Sequence, residues 1–157
     1  MIKKILIILL MLILCGCNTS VTEKEYFKEI KPEDFQLTIS VDKDYYMVGD
    51  EITIKVELKN VSGKTMKMEV GHVDYKTIED CIMIKYSIND ENPSFFMNDL
   101  GGTRKKITFL KDEIITKERK ITVKHNKYTI QACIYFYVGE DFDEKIFKLS
   151  NQIIIDI

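Results

Sequence analysis

The amino-acid sequence predicts an all-β protein, folded as an antiparallel β-sandwich of seven to eight strands. Two observations predict this class. Apolar and polar residues alternate in many short runs, with the period of two that belongs to half-buried strands. Clusters of Gly, Asn, Asp and Pro separate these runs, as turns between strands require. No helical pattern follows residue 34, so two packed sheets are the expected architecture.

The chain begins with a basic and then apolar leader. The letters "MIKK" precede an uninterrupted apolar run, "ILIILLMLIL", at residues 5–14. Ten residues of helix rise about 15 Å, roughly half of the hydrocarbon core of a bilayer. The run is therefore too short for a stable span, and it has the length of the apolar region of a secretory signal.

A cysteine closes this leader. Leu14, Cys15, Gly16 and Cys17 resemble a bacterial lipobox, in which a leucine and a small residue precede an invariant cysteine. The resemblance implies that diacylglycerol is attached to the thiol of Cys17 and that the chain is cut between Gly16 and Cys17. The acyl chains would hold the protein at the outer side of the cytoplasmic membrane. The alternative is an uncleaved N-terminal helix with a free cysteine.

The chain is thus expected to divide into three segments. Residues 1–16 are the signal peptide, residues 17–34 are the lipidated cysteine with a polar tether, and residues 35–157 are one β-domain. Pro32 ends any helix that the tether begins. The last segment has the length of a single domain with its own core.

The expected strands follow from the alternating positions. In chain order these positions lie at 35–41, 52–58, 66–70, 82–88, 121–123, 128–138 and 146–157, and the stretch 107–114 alternates less regularly. The turn signals lie at 48–50, 60–64, 89–93, 98–102, 125–127 and 139–144.

Composition excludes several classes of partner and chemistry. The 23 basic residues are outnumbered by 25 acidic ones, a balance that argues against nucleic acid and against a polybasic membrane patch. His72 and His125 are the only imidazoles, and neither has a second ligand at metal-site spacing. No set of nucleophile, acid and base is visible, so we expect neither an enzyme nor a cofactor.

Two stretches resemble bacterial Ig-like domains. The first has an aromatic pair, Tyr45 and Tyr46, then Gly49-Asp50, an alternating strand and the turn Asn60–Gly63. The second, Tyr128–Ala132, is similar to the start of a strand in the closing half of such domains. The resemblance covers residues 35–157 and carries no catalytic motif.

Within that class the chain is most similar to Ig-like domains of lipoproteins, including those grouped with a Bacillus-type intracellular proteinase inhibitor. It departs from the inhibitor pattern at residues 89–96, which lack the expected glycine-rich turn and tryptophan. The resemblance implies an Ig-like β-sandwich in which the strands at 82–88 and 128–138 are neighbours. It also implies that the Tyr128 hydroxyl bonds back to the preceding turn, as in a tyrosine corner.

Cys81 and Cys133 remain once the leader cysteines are assigned. Their parity places both on the face away from the centre of the sandwich, opposite Ile82 and Ala132. In Ig-like topology they would lie on adjacent strands, within reach of a disulfide. The alternative is two unpaired thiols.

Aromatic residues on the same outer face, Tyr135 and Tyr137, with Phe95 and Phe96 on a nearby loop, are candidates for a binding patch. The alternative is that they are scaffold residues, since aromatic residues favour strands.

We therefore expect a non-catalytic lipoprotein of the cell envelope that acts as a binding module on the outer side of the membrane. Its partner would be an envelope or secreted protein, a peptide or a glycan. One alternative is an inhibitor of a secreted or envelope protease that uses the loop at 89–102. Another is an immunity lipoprotein that captures a membrane-active peptide.

Overall fold

Nine β-strands and two short 3₁₀ turns make up the computed structural model, which describes residues 30–71, 77–89, 91–95, 104–138 and 144–157. The strands are β1 (Phe35–Val41), β2 (Glu51–Asn60), β3 (Met66–Gly71), β4 (Ile82–Ile88), β5 (Arg104–Phe109), β6 (Ile114–Thr122), β7 (Lys127–Val138), β8 (Glu144–Leu149) and β9 (Ile153–Asp156). The 3₁₀ turns are Pro32–Asp34 and Ile78–Cys81. The predicted all-β fold with antiparallel sheets is confirmed.

The strands form two larger sheets and one separate pair. β1, β2 and β6 form a three-stranded antiparallel sheet in that order. β7 is the centre of the other sheet, with β4 on one side and both β8 and β9 on the other. β3 and β5 pair with each other. The predicted adjacency of the strands at 82–88 and 128–138 is confirmed, because Ile82 pairs with Ile134 and Ile88 with Tyr128.

β7 is buried on both faces, from Tyr128 to Phe136. Its even-numbered side chains join the main core, where the Phe136 ring meets the Phe35 ring edge-on at 5.4 Å. Phe35 in turn stacks on Phe109 with 6.2 Å between the ring centroids. A strand in the middle of a sheet has both backbone edges paired, and its burial positions the elements on either side of it.

The number of strands exceeds the predicted seven to eight because one expected strand is divided. The final run forms β8 and β9 on the same edge of β7, with a break at Ser150. There the Ser150 N–H donates to the carbonyl of Ala132, and the Ser150 hydroxyl accepts the N–H of Ala132 at 3.0 Å. The serine side chain thus replaces the backbone partner that a continuous strand would supply.

The packed core reaches further toward the N-terminus than the tether boundary suggests. Ile30 is 3% exposed and belongs to the main core cluster, although the tether was expected to extend to residue 34. Lys148 holds this entry segment by donating through Nζ to the carbonyls of Pro32 and Phe35. Residues 1–29 lie outside the described part of the chain.

The antiparallel pairings give the sandwich two distinct ends. The chain enters β1 at one end, and β1, β4 and β6 all finish at the opposite end, where β7 begins. This opposite end is called the far end below. The seven residues of β1 rise about 23 Å, which is roughly the distance between the two ends.

Tyrosines fix two loops at the far end. The hydroxyl of Tyr128 accepts the N–H groups of Lys124 and His125 at 2.8 and 3.2 Å, so the bond predicted from the tyrosine-corner resemblance is confirmed. The fully buried Tyr46 donates its hydroxyl to Asp42 Oδ1 at 2.8 Å and accepts the N–H of Lys43. Both turns are therefore held by side chains as well as by backbone bonds.

Candidate functional site

A cleft of about 730 Å³ opens at the far end, between the edge of β4 and the edge of β6. Its lining comes from β4, the segment 91–95, β6, the turn before β7 and the start of β7, namely Lys85–Ile88, Glu91, Asn92, Ser94, Arg119–Thr122, Lys124, His125 and Tyr128. Among the described strands, β4 pairs only with β7 and β6 pairs only with β2. The cleft therefore lies where each of the two sheets ends in an edge strand.

Two cations of β6 bind the backbone edge of β4. Lys117 donates through Nζ to the carbonyl of Ile82 at 2.8 Å, and also to that of Glu79 at 3.2 Å. Arg119 donates through Nη1 to the carbonyl of Ile84 at 2.7 Å. These side chains satisfy carbonyls that a neighbouring strand would otherwise take.

Both cations occupy core-facing positions of their strand. Lys117 and Arg119 share the parity of Ile115, Ile121 and Val123, of which the last two are buried. Inward-pointing charges of this kind are a known protection of edge strands against unwanted pairing. Here their head groups find backbone carbonyls at the border of the core, so the charges are hydrogen-bonded.

An aromatic cluster supports the wall of the cleft. The guanidinium of Arg119 lies 5.3 Å from the centroid of the Tyr86 ring, and Tyr86 lies 6.0 Å from Tyr128. His125 meets Tyr128 edge-on, also at 6.0 Å. Because Tyr128 is fixed by its bonds to the preceding turn, this wall is set before any ligand arrives.

The charge of the cleft is positive although the whole chain is slightly acidic. In the described part of its lining there are four cationic side chains, those of Lys85, Arg119, Lys120 and Lys124, and one carboxylate, that of Glu91. Lys120 also contacts Glu51 at 2.7 Å in an exposed ion pair, which is worth little in water. The lining thus offers cationic donors beside aromatic and aliphatic surface, which suits an anionic ligand with an extended backbone or apolar part.

The two tyrosines of the predicted patch contact each other but present little surface. The hydroxyl of Tyr135 donates to that of Tyr137 at 2.7 Å, and the rings lie 5.5 Å apart, edge to face. Lys145 Nζ lies 5.4 and 5.5 Å from the two ring centroids. Tyr135 is only 4% exposed and Tyr137 is half-buried, so the expectation of an open aromatic face on β7 is corrected.

The other predicted site residues lie beside the cleft or outside the described part of the chain. Phe95 is half-buried at the end of the segment 91–95, which supplies three residues to the cleft. Phe96, Gly16 and Cys17 lie outside the described residues, as does most of the loop at 89–102. The lipid anchor and the inhibitory loop therefore stay predictions.

The two cysteines do not share a face. Cys81 closes a 3₁₀ turn before β4 and lies in the main core cluster. Cys133 lies on β7 opposite Met83, and its side chain is buried outside that cluster. Both thiols are free, and burial raises the pKa of each to about 12.

The structure thus corrects the expectation that both thiols lie on the outer face. The parity of Cys81 holds only if the β4 strand extends to residue 81, whereas the strand begins at Ile82. Thr77 and Asp80 form a capping box that turns the chain just before it. The turn directs Cys81 into the core.

The alternating pattern does not reveal the cations of the cleft. Charges at every second position suggest a solvent-exposed face, and the period of two predicts a strand only at 121–123 in this part of the chain. The available signal was parity, because Lys117 and Arg119 interrupt an otherwise apolar phase from Ile115 to Val123. A Lys or Arg at a position that the alternation assigns to the apolar face of an edge strand indicates a hydrogen-bond partner within the fold.

The described ranges hold no group of three or more His, Cys, Asp or Glu side chains that could bind a metal ion. Within those ranges, no helix is long and apolar enough to cross a bilayer. His72 lies outside them.

No family model matches the chain, and no curated protein matches it. Among solved structures, the ApaA protein from Bordetella pertussis has a TM-score of 0.46 at 11% identity, over 82% of this chain and 97% of that one. The sporulation control protein Spo0M from Bacillus subtilis has a TM-score of 0.35 at 10% identity, over 79% of this chain and 50% of that one. A β-glucosidase from Erythrobacter marinus has 0.30 at 9%, over 74% and 15%. The chain thus spans half of Spo0M and a small part of the glucosidase, and these likenesses assign it to no family.

Proposed function

We propose that this chain is a non-catalytic binding module of the cell envelope, held by lipid at Cys17, that binds a polypeptide partner through the cleft between β4 and β6. The observation that supports the proposal is a positively charged cleft placed on two strand edges. Strand edges bind polypeptides through backbone hydrogen bonds, and the surrounding side chains select among them.

The position of the cleft agrees with attachment through the N-terminus. The chain enters the domain at the end opposite the cleft, about one strand length away. A lipid at Cys17 would therefore leave the cleft facing away from the membrane. Inhibition of an envelope protease, or capture of a membrane-active peptide, would each be a form of this binding.

The test is affinity capture with the full chain in detergent, from envelope and secreted fractions of the producing cell. The wild type is compared with a cleft variant, Lys124→Gln, and a matched control, Lys111→Gln, whose exposed side chain lies at the end where the chain enters β1. We expect a stoichiometric polypeptide that the cleft variant loses and the control retains.

Retention of the same partner by both variants would place binding elsewhere and contradict the proposal. If the captured polypeptide is an enzyme, its activity with and without the chain distinguishes an inhibitor from an accessory module.

A further inference from the structure

The backbone of β4 is capped over only half of its open edge. The carbonyls of Ile82 and Ile84 point away from β7, since Lys117 and Arg119 bind them from β6. In an antiparallel pair the N–H and C=O of one residue point to the same side. By this parity the N–H of Ile84 and both backbone groups of Tyr86 point to the same open side.

The cations do not reach this second half. Among the described hydrogen bonds, none is made by the backbone N–H of Ile84 or by either backbone group of Tyr86 on this side. Most of the uncapped part of the edge, Lys85–Ile88, lines the cleft. Uncapped strand groups beside an open volume are the feature that an added strand requires.

From these observations we infer that the β4 edge from Ile84 to Ile88 accepts an extended acidic polypeptide segment, which adds to the sheet as a strand and places a carboxylate beside Arg119. This inference deepens the proposed function and rests on it. At about 3.3 Å per residue, the open edge takes roughly five residues of such a segment.

Charge selects the acidic character of the segment. One of the five N–H groups of Arg119 donates to the Ile84 carbonyl. The other N–H groups of the guanidinium can bind a carboxylate at the same time. Lys85 and Lys124 lie on the same lining, whereas Glu91 is the single carboxylate among the described lining residues. Because side chains of a strand alternate between its faces, every second residue of the segment would enter the cleft toward Tyr86 and Arg119.

The test uses the full chain in detergent and a fluorescein-labelled peptide, Thr-Glu-Val-Glu-Val-Glu-Thr, with binding followed by fluorescence anisotropy. Three control peptides have the same length. In the first, lysine replaces each glutamate. In the other two, methyl groups stand on alternate backbone nitrogens, one peptide for each of the two alternating phases. We expect the lysine peptide and one methylation phase to bind at least tenfold more weakly than the parent.

The protein variants separate charge from fold. Lys124→Gln removes a charge whose side chain has no described bond to the core, and Arg119→Lys keeps the charge but loses the planar fork. Both variants should bind the parent peptide about threefold to tenfold more weakly than the wild type, and Lys111→Gln should bind it with unchanged affinity. Circular dichroism melts confirm that each variant is folded, and hydrogen exchange should show added protection of the Ile84 and Tyr86 amides only when the peptide is bound, because the alternate amides of β4 already face β7.

Several outcomes would overturn the inference. These are equal binding of the lysine peptide, equal binding of both methylation phases, or complete displacement by inorganic phosphate at millimolar concentration, which would indicate a small-anion site. Absence of peptide binding together with partner capture that depends on Lys124 would overturn strand addition and leave the proposed function standing. Loss of both the peptide binding and the Lys124-dependent capture would overturn the inference and the proposed function together.

Discussion

Arg119 on β6 donates a hydrogen bond to the backbone carbonyl of Ile84 on β4, at 2.7 Å, and so joins the open edges of the two sheets. The same guanidinium lies 5.3 Å from the Tyr86 ring. One side chain thus caps a strand, bridges the sandwich and forms part of a cleft wall.

Replacing this arginine is expected to lower the free energy of unfolding. Arg119→Leu should cost about 1–3 kcal/mol, because the Ile84 carbonyl loses a charged donor and the ring loses its cation. Arg119→Lys should cost less, since an ammonium can still reach a carbonyl. Urea unfolding measures both values. An unchanged midpoint for Arg119→Leu would show that water replaces the donor without loss.

Part of this architecture was predictable. β1 and β2 were found because each buries one face, which imposes strict alternation from Phe35 to Val41 and from Ile52 to Leu58. The break at Ser150 was not found, because a side chain that replaces a backbone bond leaves no periodic signal. The outer face of β7 was judged open, although a central strand buries polar residues such as Gln131 as well.

The cleft was harder to predict than the fold. It requires knowing that β4 and β6 both end their sheets on the same side, which is a property of pairing and not of periodicity. The role of Lys117 and Arg119 is visible only from the β4 carbonyls to which they donate. Sequence parity indicates that they are unusual and does not identify their partners.

Asp42 is expected to make stability sensitive to acid. The N–H of Thr53, at 2.7 Å, and the hydroxyl of Tyr46 hold the pKa of Asp42 below its ordinary value of 3.8. A lowered folded pKa contributes stability that is present above about pH 3.8 and is lost as the pH falls through the folded value. Asp42→Asn should therefore flatten the fall in melting temperature below pH 4.

Tyr46→Phe is the matched control for that experiment. It keeps the buried ring and the Thr53 bond, and should reduce the acid sensitivity only in part. A slope for Asp42→Asn equal to that of the wild type would contradict the assignment.

The thiols of Cys81 and Cys133 are expected to be slow nucleophiles in the folded chain. Burial raises the pKa of both from 9.0 to about 12, so the thiolate is scarce at pH 8. Alkylation by iodoacetamide, resolved by mass spectrometry, should be at least tenfold slower than in urea. By the same shift, stability is complete below pH 9 and falls as the pH rises toward 12.

No bond between these thiols should form in the folded state. Cys133 pairs across the sheet with Met83, and Cys81 belongs to the core on the other side. Oxidised glutathione should therefore leave both thiols free until the domain unfolds. Recovery of a linked 81–133 peptide from native protein would contradict this placement.

Ser150→Ala is expected to destabilise the domain by about 1–3 kcal/mol. The hydroxyl is the partner of the buried N–H of Ala132, and its loss leaves that donor unsatisfied. Ser40→Ala, at an exposed position of β1, should change the free energy by no more than about 0.5 kcal/mol. Equal melting curves for the two variants would show that Ala132 finds another acceptor.

The lipid anchor has a direct test. Cys17→Ser should leave the precursor uncut and unlabelled by radioactive palmitate in the producing cell, since the modification requires a thiol. Cys15→Ser should be processed normally, because that position needs only a small residue. Normal processing of Cys17→Ser would remove the anchor from the proposed function.

The half-capped edge of β4 has a consequence for crowding. If the proposed lipid at Cys17 holds copies of the chain at a membrane, they would be confined to two dimensions and would meet more often than in solution. A fully open strand edge would then favour pairing between copies. Because Lys117 and Arg119 bind carbonyls of one half of the edge, only the short half beside the positively charged lining would be left for such pairing. The same two side chains would thus limit self-association and leave the proposed binding edge open.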